Sequence, residues 1–202
     1  MRRLLVNTFL TVDGVMQAPG GPDEDRASGF RYGGWSAPLW DEMMGQAMAE
    51  MMGKPFDLVL GRRTYDIFAA YWPDAKEDGA DALNRAVKNV ASRGRPTLTW
   101  EKSVLIDGDV AAGVAALKRQ DGPELQVHGS GDLLQTLIRE GLVDEFRLWT
   151  FPVVVGTGKR LFADGTIPAA LKLADHKVST TGVLLGVYHP AGDLVTGSFP
   201  LD

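Results

Sequence analysis

Apolar residues recur along this chain with two different spacings, and the changes from one to the other mark out its elements. Val6 to Val12 is apolar and β-prone and stops at the turn pair Asp13-Gly14. Residues 17 to 36 form a loop rich in Gly, Pro and Asp, too long to be a mere connector; long loops in compact domains are usually functional or mobile. Pro38 to Met52 has helical spacing, with Trp40, Met44, Met48 and Met51 on one stripe. Five of the seven methionines fall there, so a flexible core-facing helix is the plainer reading, although thioethers also suit an adaptable pocket.

Leu58 to Leu60 is an apolar strand running into Gly61, and residues 64 to 71 have an amphipathic helical pattern closed by Trp72-Pro73. Asp81 to Ala86 is a short helix, Lys88 to Arg93 a strand ending in a hydroxyl and a cation, and Ser103 to Ile106 another strand. Asp109 to Lys118 carries Val110, Val114 and Leu117 on one helical face. Glu124 to Val127 has the apolar run of a buried strand, and Leu133, Leu134, Leu137 and Ile138 form the apolar face of the next helix. From Glu145 onward the pattern is β throughout: Phe146 to Val155, Leu171 to Val178, Val183 to Tyr188 and Leu194 to Phe199. Helices alternating with strands, then strands alone, predict an α/β fold whose mixed sheet has a parallel core and antiparallel strands at one side. No repeat of about 20–50 residues and no low-complexity linker divides the chain, so residues 1–202 are expected to form a single domain.

Bulk composition narrows the function. With 202 residues, 45% hydrophobic and 23% charged, the chain is long enough for one well-buried core. A net charge of -5 argues against nucleic acid as a partner, because a phosphate-backbone footprint needs a basic surface. No apolar run approaches the ~20 residues that span a bilayer, so no membrane association is expected. Met1-Arg2-Arg3 leads directly into strand pattern without a signal-peptide core, which points to a cytoplasmic location. Cysteine is absent, which removes disulfides, thiolate metal sites and cysteine nucleophiles.

The candidate chemistry sits after two strands. Leu58-Val-Leu-Gly-Arg-Arg-Thr-Tyr65 sets two cations and backbone N–H groups at the start of a helix, where the peptide dipole also favours anions. His128-Gly-Ser-Gly-Asp132 repeats the strand–turn–helix arrangement. Two such sites suggest a ligand with two separated phosphates. Each has a simpler use: glycine after a strand is often a plain turn, Arg63 is expected to point to solvent, Ser130 can cap its helix, and Asp132 suits a first helical turn without any ligand. Other motifs fail. His128, His176 and His189 lack metal-ligand spacing, so no metal site is expected. Gly129-Ser130-Gly131 lacks the flanking glycines of a nucleophile elbow, no lysine phosphate loop is present, and Leu134 stands where a Rossmann fingerprint needs its third glycine.

Taken in order, four segments resemble the dihydrofolate reductase-like superfamily, and within it the reductase domain of the bifunctional riboflavin-biosynthesis deaminase/reductase. They are Thr11-Val-Asp-Gly14 with Ala18-Pro19; Leu60-Gly-Arg-Arg-Thr-Tyr65; Val90-Ala-Ser-Arg93; and Val127-His-Gly-Ser-Gly-Asp132 with Gly141-Leu-Val-Asp-Glu-Phe146 and Phe151-Pro-Val-Val-Val-Gly-Thr-Gly158. The resemblance implies a three-layer α/β fold and an NADPH-dependent reductase. It would place Gly61, Arg62 and Thr64 on the pyrophosphate and adenosine 2′-phosphate, Ser92 and Arg93 at the 2′-phosphate, and Gly129, Ser130, Gly131 and Asp132 in a second backbone cradle. A basic cluster of Arg62, Arg63 and Arg93 in an acidic chain agrees with that reading, since the 2′-phosphate distinguishes NADPH from NADH.

Two carboxylates are candidate proton donors. Asp13 ends the first strand, although Asp-Gly is also a turn pair on its own. Trp35-Ser-Ala-Pro38-Leu-Trp-Asp41 resembles the Trp-x-x-Pro segment and acid that open the substrate-side helix of dihydrofolate reductases, but the acid stands one residue further from the proline. Trp35, Trp40, Met44 and, by the resemblance, Pro152 are candidate walls for a small heteroaromatic or carbonyl substrate. Relatives of this kind are often dimers, so a homodimer is expected. A nucleotide-binding protein without turnover is the alternative.

Overall fold

In a computed structural model of the chain, which describes residues 1–199, eight strands form one sheet flanked by helices. The strands are β1 Leu4–Thr11, β2 Phe56–Gly61, β3 Lys88–Ala91, β4 Ser103–Ile106, β5 Glu124–His128, β6 Glu145–Phe151, β7 Leu171–Val178 and β8 Leu184–Pro190. The helices are α1 Glu42–Met52, α2 Arg62–Tyr71, α3 Ala80–Arg85, α4 Val110–Arg119 and α5 Gly131–Arg139. Strand order is β4-β3-β2-β5-β1-β6-β8-β7. The six strands from β4 to β6 pair in parallel, and β8 and β7 join antiparallel.

The chain moves outward from β1 through β2 and β3 to β4, then returns to β5 and β6 on the way back. Right-handed crossovers in opposite directions put their helices on opposite faces. Three apolar clusters follow from this. Val114 of α4 and Leu133, Leu134 and Leu137 of α5 pack on Leu4, Val6, Val59, Leu125 and Val127. On the other face Met44 and Ala47 of α1 meet Trp149, Phe151 and Leu185, while Tyr65 of α2 and Leu83 of α3 meet Leu58, Leu60 and Val90. Adjacent strand residues point to opposite faces, and with both faces covered Leu58, Val59 and Leu60 are all fully buried.

The structure departs from the sequence pattern at three places. The expected helix Pro38–Met52 is a 3₁₀ turn at Ala37–Leu39, an extended Trp40, and α1 from Glu42, because the Asp41 carboxylate accepts the Met44 N–H at 3.1 Å and fixes the helix start there. The expected strand to Val155 ends at Phe151: Pro152 has no N–H for a ladder, and the Val153 N–H turns back to the Phe151 carbonyl at 2.7 Å. Leu194–Phe199 alternates like a strand but is not one. Both edges of β8 are already occupied by β6 and β7, and Leu194, Val195 and Phe199 stay exposed.

Leu134 is fully buried beneath α5. Leu134→Ala should lower the free energy of unfolding by about 3 kcal/mol, read as a lower urea midpoint at unchanged slope.

Candidate active site

Open α/β sheets collect ligands at the carboxyl ends of neighbouring strands whose connections leave to opposite faces. Here β2 and β5 are such neighbours, paired through Leu58 and Gln126 and followed by α2 on one face and α5 on the other. The crevice therefore opens between the Gly61 and Gly129 turns, which are far apart in sequence. The ten-residue α2 and nine-residue α5 both begin there, bringing two positive helix ends together.

Ser130 pins the two turns. Its Oγ accepts the Gly61 N–H at 2.9 Å and donates to the His128 carbonyl at 3.1 Å, and its own N–H donates to Thr64 Oγ1 at 3.1 Å. It stands at the N-cap position of α5, but its hydroxyl caps no helical N–H. Gly129 and Ser130 have φ of +56° and +64°, and a left-handed residue leading into a helix makes a concave nest of backbone N–H groups. A side chain on Gly129 would be strained at that φ, and its Cβ would press on Thr64 Oγ1 at 3.4 Å. A Cβ on Gly61 would come within 3.4 Å of Ser130 Cβ. Glycine thus stands on both sides of the contact between the two turns.

Around this cradle the arginines all have carboxylate neighbours. Arg62 Nε bridges both oxygens of Asp66, one turn further along α2, at 2.7 and 2.8 Å. Arg63 does not simply enter solvent as expected; its guanidinium reaches Asp25 of the long loop at 2.6 Å. Arg93, past the end of β3, lies 3.6 Å from Asp132 of α5, with both side chains almost fully exposed. Ser92 Oγ accepts the Gly94 N–H at 3.2 Å.

The two candidate acids are engaged as acceptors. Asp13 accepts the Thr11 hydroxyl at 2.6 Å and the Gly156 and Val155 N–H groups at 2.9 and 3.3 Å, ties the 152–158 loop to the end of β1, and has Arg160 at 3.6 Å. The Thr11 hydrogen bond first, and the backbone N–H groups with it, hold its carboxyl below the usual carboxylate range. Asp41 caps α1 and accepts the Thr180 N–H and hydroxyl at 2.8 Å each; the Thr180 hydroxyl chiefly lowers its pKa. Both are anions at neutral pH.

Trp35 is buried edge-on against Phe151, with its Nε1–H on the Gln17 carbonyl at 2.9 Å, and Met44 is fully buried; both belong to the core and not to an open wall. Trp40 and Pro152 are exposed. Trp40 stacks on Trp149 at 6.3 Å and 15°, and it touches Phe9 of β1. A groove of about 580 Å³ between Ala70 and Glu77 and a cavity of about 320 Å³ under α1, lined by Glu124, Glu145 and Arg147, both lie toward the opposite end of the sheet.

The residue that sequence reading missed is Asp25. Its side chain is nearly buried and meets Arg63 and Lys159 at 2.6 and 2.7 Å and the Ala27 N–H at 3.0 Å. Burial pushes its carboxyl up, but Lys159, the Ala27 N–H and Arg63 outweigh that and hold it ionised. Gln17 completes the join: its Nε2 donates to the Asp25 and Ala27 carbonyls, and its Oε1 accepts the Lys159 N–H, each at 3.1 Å. Loop length was the one sequence signal here. His128, at the end of β5, lies 3.0 Å from Gln126 Oε1 and is pushed down to about 4 by burial and by Arg147.

A mixed sheet with a parallel core, two antiparallel strands at one side and helices on both faces defines the α/β class of this protein. The chain matches the RibD C-terminal domain family over residues 2–185 and belongs to that family. It is 28% identical over 193 residues to the uncharacterized protein YyaP of Bacillus subtilis, spanning 93% of this chain and 95% of that protein. Over 77 residues it is 31% identical to the uncharacterized protein YwjB of the same organism, covering 38% of this chain and 44% of that one. Its fold is similar to that of a Shewanella sp. PV-4 protein described as a riboflavin biosynthesis protein (TM-score 0.66, 19% identity, 95% and 99% of the two chains). A pyrimidine reductase-like protein from Corynebacterium diphtheriae is similar at TM-score 0.63 and 12% identity, over 95% and 93% of the chains.

Ser130→Ala strands the Gly61 N–H and should cost about 1–3 kcal/mol of stability by urea unfolding. Between pH 6.5 and about 4 the unfolded chain protonates His128 while the folded chain does not, so stability falls as pH falls through that window. Between pH 7.5 and 4.5 the protein should lose about 2–3 kcal/mol more than His128→Gln does. Equal losses would contradict a neutral, half-buried imidazole.

Proposed function

We propose that the protein is an NADPH-dependent reductase acting on a small heteroaromatic or carbonyl substrate, of the pterin or aminopyrimidine kind. The observation that carries this reading is the Ser130-pinned pair of glycine turns at the β2–β5 crevice. It brings two helix N-termini together, with Arg62 opening α2 and Arg93 beside Asp132 of α5, and that donor set would suit a pyrophosphate with a nearby phosphomonoester. NADPH would supply the hydride. The chain would hold the nucleotide through Gly61, Arg62, Thr64, Ser92, Arg93 and the Gly129–Asp132 turn. On the substrate side, Trp40 and Pro152 offer exposed flat surface for a planar ring.

A second reading, an NADP-binding protein without turnover, is favoured by one observation. Asp13 and Asp41 are both ionised and committed to backbone and hydroxyl donors, so neither stands ready as an acid. Turnover would then draw its proton from water. A homodimer belongs to the same proposal, since β7 is exposed along nearly its whole length at the sheet edge. So does a cytoplasmic location; among the described residues no helix is long and apolar enough to cross a membrane.

Arg62→Ala should raise the dissociation constant for NADPH about 10- to 100-fold, as expected for losing a charge-assisted phosphate contact, while leaving the thermal midpoint nearly unchanged. Fluorescence titration with NADPH measures it. Oxidation of bound NADPH by pterin or aminopyrimidine compounds separates the reductase from the binding protein, and absence of NADPH binding would sink both.

A further inference from the structure

None of the arginines beside the glycine cradle is bare. Arg62 is held by Asp66 within α2, and Arg93 by Asp132 across the crevice. All four side chains are more than a third exposed, so these are weak, solvent-screened pairs that open readily. They still determine which ligands gain from the guanidinium groups. A phosphomonoester carries about 1.5 to 2 negative charges near neutral pH and outcompetes a single carboxylate for the same arginine. An uncharged ribose hydroxyl does not, and it leaves both pairs closed.

We propose that Asp132 and Asp66 are specificity-determining residues that temper the preference which Arg93 and Arg62 give the site for a nucleotide bearing a phosphomonoester. This rests on the nucleotide-binding reading above. The carboxylates act in two ways. They satisfy the arginines when the phosphate is missing, so an unphosphorylated nucleotide leaves no cation unpaired. When the phosphate is present, they repel it and must be displaced. Both effects narrow the preference below what the arginines alone would give. The site is therefore graded, with a selectivity that the two aspartates hold down.

Asp132→Asn keeps the side-chain size and removes the charge. It should lower the dissociation constant for NADPH about fivefold, the size of one unit-charge interaction at ~4 Å in water, and change that for NADH less than twofold. Asp66→Asn should act in the same direction. The gain should shrink as salt rises, because the charges are exposed. Adenosine 2′,5′-bisphosphate serves as an independent probe, since it carries the phosphomonoester without the nicotinamide.

If the wild type binds NADPH and Asp132→Asn leaves its affinity unchanged, or shifts NADPH and NADH equally, the inference is overturned while the reductase reading stands. Weaker binding of both nucleotides overturns it as well, because the carboxylate would then be a direct ligand. If neither dinucleotide binds but the bisphosphate does, and more tightly in the variant, the inference holds and the reductase reading falls. Should no probe bind either protein, both fall.

Discussion

Two adjacent parallel strands whose chains leave to opposite faces cannot cover their own carboxyl ends, and β2 and β5 stand in that relation at the middle of the sheet. Everything proposed for this protein depends on that opening. Because β5 returns to sit between β2 and β1, turns nearly seventy residues apart in sequence become neighbours, and Ser130 can bond to Gly61 and Thr64 directly. The left-handed backbone at Gly129 and Ser130 is unfavourable for serine. The hydrogen bonds to His128, Gly61 and Thr64 over-determine it. A local conformational cost and a long-range tie are thus one feature.

Electrostatics at this end of the sheet is a matter of balance. Arg62, Arg63, Arg93, Lys159 and Arg160 all approach carboxylates. The N-terminus of α2, which has no acid in its first turn, and that of α5, which has Asp132, add partial positive charge. On the nucleotide-binding proposal, a chain of net charge -5 would in this way keep a locally receptive place for an anion without a broad basic surface. The ionised states of Asp13, Asp25 and Asp41 follow from the same donors that fix the loops. In this part of the molecule, loop structure and charge state have one cause.

Much of this was legible in the sequence where a residue's neighbours are set by periodicity. The apolar runs at Leu58–Leu60 and Glu124–Val127, the helical face of Leu133, Leu134 and Leu137, and the two glycine turns all emerge from local spacing, and their positions agree with the observed elements. What local spacing cannot convey is which partner a polar side chain meets. Arg63 has the position of a solvent-facing residue until Asp25 arrives from a loop 38 residues earlier. Met44 and Trp40 share a stripe on paper, yet the Asp41 cap starts the helix after Trp40 and leaves one buried and the other exposed. Leu194–Phe199 carries strand alternation but does not pair with the sheet, where β8 is already flanked by β6 and β7.

Asp25 has a further consequence. The cradle residues lie on the β2–β5 side of β1, while Trp40, Pro152 and the 152–158 loop lie on the β6 side. Among the described residues, Asp25 meets both Arg63 of the first group's helix and Lys159 beside the second. One buried carboxylate thus joins the helix that opens the crevice to the loop beside the β6 side, so a substitution at Asp25 would be felt on both at once.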